Sequence, residues 1–474
     1  MKKFLLPVFS LLFSLPAFSQ GEFSSFSATG RGAATTFVTD YHAIGINASN
    51  LGWSPTYEGK NMTMGISELS IGVHSEALSS QELRDDFLKV GDDDQSFSMQ
   101  DKMNAARNFS ESGTIMNIDV GLFGFSYQTE NIGGFAFAVN ERFQFDMVLG
   151  NEAADLLFLG YNYSDYFDST AVNNNGDTTG YASNPRNISD LMDGSRITTS
   201  WTREYALSYG VKLLDVEESF QFFVGAGAKY VQGFAMVDLD ARGDEFSAFS
   251  AVTPFADIDY GAAAAFNPSA VQQSGSLPTP VGHGFGFDVG LSMLIKEKIR
   301  IGAAVNNIGS ITWDGNVYKI ADEDLTQTNS EGLNGYNISQ QAEMFMSDSG
   351  LFQLEGQESR TVSLPTTFRA GGSIILSEKF EAGFDFIMPL NDAPGSFVNP
   401  LMGVGLDFIP VKWIRISSGF MQGGLWGTNI PLGVTFIAGD GKWEAGLASR
   451  DAIGFFKDNG PTLSAAFGFA RFRF

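Results

Sequence analysis

The sequence predicts an all-β fold: a transmembrane antiparallel β-barrel of about 14 strands. Three observations predict it. Long segments alternate greasy side chains with small or polar ones, the links between them are short and long by turns, and an aromatic C-terminus closes on Phe474.

Alternation is the main signal. Phe135, Phe137, Val139, Phe143, Phe145 and Met147 share one parity, broken only by Glu141, while Ala136, Ala138, Asn140, Arg142, Gln144 and Asp146 take the other. Successive strand side chains face opposite ways, so such a segment has a greasy face and a polar one. The pattern recurs from Tyr205 to Leu213, Phe285 to Ile295 and Phe380 to Met388. These runs exceed the roughly five or six residues of a globular strand and match the roughly nine to eleven of a membrane-spanning one. Arg142, Asp146, Lys212, Asp288 and Asp385 sit in mid-segment. Charges there are costly against lipid and natural in a hydrated lumen, which weighs against a soluble sandwich.

Segments of this kind start near residues 61, 114, 133, 201, 220, 284, 299, 366, 379, 401, 412, 430, 441 and 462. The links at Glu130-Asn131, Asp215 to Ser219, Lys296 to Lys298, Ser377-Glu378, Ile409-Pro410 and Gly439 to Gly441 are short. Those at 74–113, 148–200, 239–283, 314–365, 390–400, 422–429 and 451–461 are long. Short turns on one side and long loops on the other orient an outer-membrane barrel, with the long set extracellular and both chain ends periplasmic. Most prolines fall in the proposed loops, as a residue without an N–H should; Pro410 falls in a turn, and Pro431 falls inside a strand.

The aromatic run Phe467, Phe469, Phe472, Phe474 changes parity near Phe469, where a bulge is expected. Phe472 and Phe474 resemble the terminal signal that barrel-assembly machinery reads in its clients. Trp413, Trp426 and Trp443 lie near strand ends, where interfacial aromatic girdles are expected.

Lys2 and Lys3, the apolar run from Phe4 to Leu15 and the small residues around Ser19 read as a signal peptide over 1–20. That run is too short to span a bilayer. Export, and residence in a Gram-negative outer membrane, are the expectation. A net charge of −25 excludes nucleic acid as a partner, because phosphate binding needs Lys and Arg clusters. With no Cys there is no disulfide framework. The barrel itself is expected over 59–474.

Residues 21–58 are not strand-like. Gly32, Ala34, Asp40, Ala43, Asn47 and Leu51 fall on a "G.A…..D..A…NPA.L" pattern. This resembles the hatch of the FadL/PorV-like outer-membrane barrel superfamily, which includes long-chain fatty-acid transporters and a component of a protein secretion system. The pattern's Pro and Ala are Ala48 and Ser49 here, which departs from the family's turn. Leu364-Pro365 followed by Arg369 and Gly371 resembles a late hairpin of the same barrels. The resemblance implies fourteen strands and a plug whose candidate residues are Arg31, Gly32, Asp40, Asn47, Asn50 and Leu51. It implies passive uptake or passage of hydrophobic small molecules. The alternative is a plugged scaffold, or docking component, for a secretion or surface protein complex. A continuous apolar tunnel would favour the first, and a sealed lumen with a groove among the loops the second.

Ser79 to Glu82 reads as a capping box opening a helix with an apolar stripe at Leu83 and Phe87. Met344, Phe345 and Phe352 make a second oily stretch, so these five residues are candidates for ligand capture. Outer-membrane lipid, the assembly machinery, and a hydrophobic ligand or protein at the outer loops are the expected partners. No enzyme is expected. His42, His74 and His283 are the only histidines, with His74 and His283 placed to meet near the outer rim, and no nucleophile motif accompanies them. No cofactor or metal is expected; Asn173 to Asp177 reads as a polar turn without the distal Glu of a calcium loop.

Overall fold

The computed structural model describes residues 25–83, 97–130, 132–174, 176–216, 219–242, 246–336, 353–397, 399–424, 426–456 and 460–474. The leader expected at 1–20, and Phe87, Met344, Phe345 and Phe352, lie outside the described residues.

Fourteen antiparallel strands close into a barrel. The first seven are β1 (Met62–Ser75), β2 (Gly113–Thr129), β3 (Gly133–Val148), β4 (Arg196–Val216), β5 (Phe220–Asp240), β6 (Gly282–Ile295) and β7 (Ile299–Trp313). The rest are β8 (Thr367–Ser377), β9 (Phe380–Pro389), β10 (Leu401–Val411), β11 (Ile414–Gly423), β12 (Leu432–Ala438), β13 (Trp443–Ser449) and β14 (Thr462–Arg473). Each pairs with its successor, and β14 returns to β1 with Met64 opposite Phe472 and Leu69 opposite Phe467. The largest offset from the sequence reading is at β4, which starts at Arg196 rather than 201.

Two proline expectations are corrected. The β10–β11 turn is Lys412-Trp413, and Pro410 stays inside β10 at a register irregularity between Phe408 and Val411. A broken ladder is where a residue without an N–H is tolerated. Pro431 lies just ahead of β12 rather than within a strand.

Parity sorts lipid from lumen. On β6, Phe285, Phe287, Val289 and Leu291 are exposed while Asp288 between them is 2% exposed. In β14 the bulge appears opposite Glu444 and Gly446, so Phe467, Phe469 and Phe472 all reach the outer face. Trp413 is exposed at its turn and Trp443 donates to the Phe469 carbonyl at 2.8 Å. Trp426 is no girdle residue: it is 1% exposed, beside the His74 ring.

The wall is tall on one side. β4 and β5 run 21 residues each, against seven each for β12 and β13. On the tall side the greasy face is covered above the lipid. Along one face of β3, exposure falls from 42% at Phe135 to 3% at Phe145 and 2% at Met147. Helices Met99–Phe109 and Asn151–Leu159 cover these upper residues. Phe109, Leu156 and Leu157 join Ile71, Val73, Ile197, Val237 and Leu239 in a single core. This corrects the expectation of one lipid-facing stripe along β3: strands longer than the bilayer needs must bury their upper apolar residues against protein. The helix at Met99 starts on a capping box, Ser98 with Asp101. Ser79 and Glu82 form the box read from the sequence, with the Ser79 N–H donating to Glu82 at 2.8 Å.

Beyond the barrel the sheet widens. Ser247–Val252 pairs with the upper end of β5, Val317–Ile320 pairs with that strand, and Leu354–Gly356 pairs with Val317–Ile320. A separate sheet joins Ser169–Val172, Thr178–Tyr181 and Gln327–Thr328.

Candidate functional site

The N-terminal segment packs against the inward faces of the strands. It is a chain of short turns: a helical turn at Phe26–Thr29 and 3₁₀ turns at Asp40–Ala43 and Ala48–Gly52. Arg31, Thr35, Asp40, Asn47, Ser49 and Asn50 are each 2% exposed or less, so their polar groups must find partners in the wall or in the segment.

Most do, along the whole segment; among the described residues, Arg31 Nη1 and Asn50 Oδ1 are left without a hydrogen-bond partner. Arg31 donates to both carboxylate oxygens of Asp407 at 2.8 and 2.7 Å. Asp40 accepts from Arg471 at 2.5 Å. Arg471 also bonds Glu444 at 2.6 Å, as does Arg473 at 3.0 Å. Asp385 accepts the Ala34 N–H at 2.8 Å and the Thr35 hydroxyl at 2.9 Å. Glu68 takes the Tyr41 hydroxyl on one oxygen at 2.5 Å and His42 Nε2 on the other at 2.7 Å. Burial, with Glu68 beside it, pushes the Tyr41 hydroxyl well above its ordinary pKa, so it stays a donor.

Asn47 caps the second 3₁₀ turn through the Ser49 N–H and donates to the Leu291 carbonyl at 3.2 Å. Ser49, where the resembling family has Ala, adds a bond to Ser292 at 2.8 Å. The altered motif still makes its turn. Asn50 donates to the carbonyls of Thr35 and Val38, both at 2.9 Å, holding two parts of the segment together. Leu51 is fully buried in a cluster with Tyr41, Ala43 and Ala136.

Wall glycines let the segment approach this closely. A Cβ at Gly403 would fall on the Gly32 carbonyl oxygen, and one at Gly124 on the Tyr41 ring. Any larger residue at either position would push the segment away.

Two cavities lie between wall and segment, and a third lies among the wall strands and their links without touching the segment. The largest, about 210 Å³, is lined by Arg31, Arg300, Arg415, Arg471 and Arg473 among others, with Glu381 and Asp407 facing them. The other two, about 50 and 60 Å³, include Glu68, Asp119 and Arg142, and Arg142, Gln144 and Glu204, respectively. The cavity walls are mixed: Phe37, Val38 and Phe380 share the first with the charged groups, and Met236, Ile311 and Trp313 share the third. Outside the wall, a groove of about 820 Å³ opens among the loops, between Gln327–Thr328 and Leu354–Gly356.

Leu83 is fully buried in the core of the loop crown, where it packs against protein and presents no surface to a ligand. The histidines do not converge. His74 bonds Thr462 at 2.8 Å, His283 faces Asp314 at 3.6 Å, and His42 belongs to the N-terminal segment. Strands β1 and β6, which carry His74 and His283, stand five places apart in the wall. Asn173 and Asp177 bond each other at 2.8 Å across their turn. Sequence reasoning missed Asp407, Glu444 and Arg471. Their inward parity was the available signal, but it does not say which inward charge meets which part of the segment.

A family model described as "Family of unknown function (DUF5723)" matches residues 55–439. No curated protein is matched by the sequence. Among solved structures, the chain is similar to the Pseudomonas putida toluene transporter TodX, at 10% identity and a TM-score of 0.43, over 97% of this chain and 99% of that one. It is similar to a Pseudomonas aeruginosa FadL homologue, at 10% identity and a TM-score of 0.38, over 96% and 97%. The translocator domain of autotransporter NalP from Neisseria meningitidis follows at 8% identity and a TM-score of 0.31, over 88% and 90%.

Proposed function

The chain belongs to the family of unknown function DUF5723, and we propose from the geometry of its barrel that it is a plugged outer-membrane scaffold: the N-terminal segment closes the lumen and the loop crown holds a protein partner at the cell surface. One observation carries this reading. The segment is moulded to the wall by ion pairs at Arg31 and Asp40 and by glycines that leave no room for a side chain. Passage of hydrophobic small molecules, the competing reading, would take an apolar solute through cavities edged with guanidinium and carboxylate groups. Desolvating such groups for an apolar guest is unfavourable.

The test is deletion of residues 25–52. The strand ladder begins at Met62, so the barrel should still assemble and shift on heating in gels. The deleted form should conduct ions across planar bilayers while the intact protein conducts little, and neither should take up apolar compounds selectively in whole cells. Selective uptake by the intact protein would overturn the scaffold reading in favour of a channel. Equal conductance of the two forms would remove the segment from its role as plug.

A further inference from the structure

The loop groove is bounded by two strand edges. Gln327–Thr328 pairs on one side only, with Thr178–Tyr181, and Leu354–Gly356 pairs on one side only, with Val317–Ile320, among the described residues. Both edges line the same cavity of about 820 Å³. An unpaired edge offers a row of backbone donors and acceptors that a further strand can satisfy. Here two such edges face one space.

The side chains around that space have one sign. Glu323, Asp324 and Glu355 line it, and no Lys or Arg among the described residues does; the nearby Lys319 already lies 3.9 Å from Glu355. Tyr260 forms part of the lining, stacked on Tyr318 with ring centroids 4.2 Å apart, and Phe266 stands 84% exposed. Carboxylates and aromatic faces together attract ammonium and guanidinium groups.

We propose that this groove is a docking slot for an extended segment of a partner protein, rich in Lys and Arg, that adds as a strand along one or both edges. The backbone edges supply the binding geometry, while the carboxylates select the charge. The inference rests on the scaffold reading for why a partner is held, but its test leaves the lumen untouched, so the two can fail separately.

The experiment uses the full chain in detergent or nanodiscs and short fluorescent peptides that alternate Lys with Thr. The basic peptide should bind, and binding should weaken as salt rises. An acidic counterpart alternating Glu with Thr should not bind. The basic peptide N-methylated at alternate residues, which keeps its charge but loses strand donors, should bind about tenfold more weakly or worse. The double variant Glu323→Lys/Glu355→Lys alters two exposed side chains. It should still form the heat-modifiable barrel and should lose binding by a similar factor. Three results would each overturn the proposal: equal binding of the acidic peptide, N-methylation without effect, or binding of a neutral oligosaccharide with none of the peptides.

Discussion

Asp407 shows how much of the segment's hold rests on single inward carboxylates. It takes two bonds from Arg31 and one from Ser417 at 2.6 Å, with Arg415 at 3.9 Å. Asp407→Ala would strand the Arg31 guanidinium in a site where it is 2% exposed. Breaking a buried pair from one side costs about 3–5 kcal/mol. The cost should fall on the docking of the N-terminal segment, read as faster proteolysis of that segment and raised conductance in an intact barrel. The double variant Arg31→Met/Asp407→Leu removes both charges and should recover most of the loss. A double variant as leaky as the single one would show that the pair does not hold the segment. At this scale the sequence was half legible. The composition of 21–58 marks Arg31 and Asp40 as charges without a strand to belong to. Their partners Asp407 and Arg471 lie 376 and 431 residues away, and no local pattern reaches that far.

Strands were the most legible elements, because a barrel wall between lipid and lumen enforces period two on every residue that crosses it. The same enforcement makes them testable. Phe137 lies on the outer face of β3, opposite Leu207 on β4 and Phe125 on β2. Phe137→Arg should reduce the yield of heat-modifiable barrel in outer-membrane fractions, at a cost of roughly 2–4 kcal/mol for a charge near mid-bilayer. Gln144 lines an inner cavity with Arg142 and Glu204, so Gln144→Arg should leave that yield near the parent's. Equal losses would contradict the assigned faces. Less legible was where the lipid ends: Phe145 and Met147 continue the parity of Phe137, and only tertiary packing reveals that helices rather than acyl chains cover them. The register irregularity at Pro410 was hidden for a related reason, since it lets a proline remain in a strand.

As a whole the molecule couples a closed cylinder to a crown with its own apolar core. Phe109 is 1% exposed in that core, its ring 5.2 Å from Phe158. Phe109→Ala should cost about 3–5 kcal/mol and confine the damage to the crown. Protease on intact cells should then cut the long loops faster while the heat-induced gel shift stays where it was; a shifted barrel transition would mean that crown and cylinder unfold as one. The crown's position has a separate consequence. Its core packs on the outward face of the upper strand ends from β1 to β5, through Ile71, Val73, Met147 and Val237, so it hangs beside the cylinder like an eave over the surrounding leaflet. Neighbouring proteins in the membrane can press close against the low side at β12 and β13, but the eave holds them off on the other. Packing in the plane of the membrane is therefore directional, and a crowded array of these molecules would have a preferred orientation.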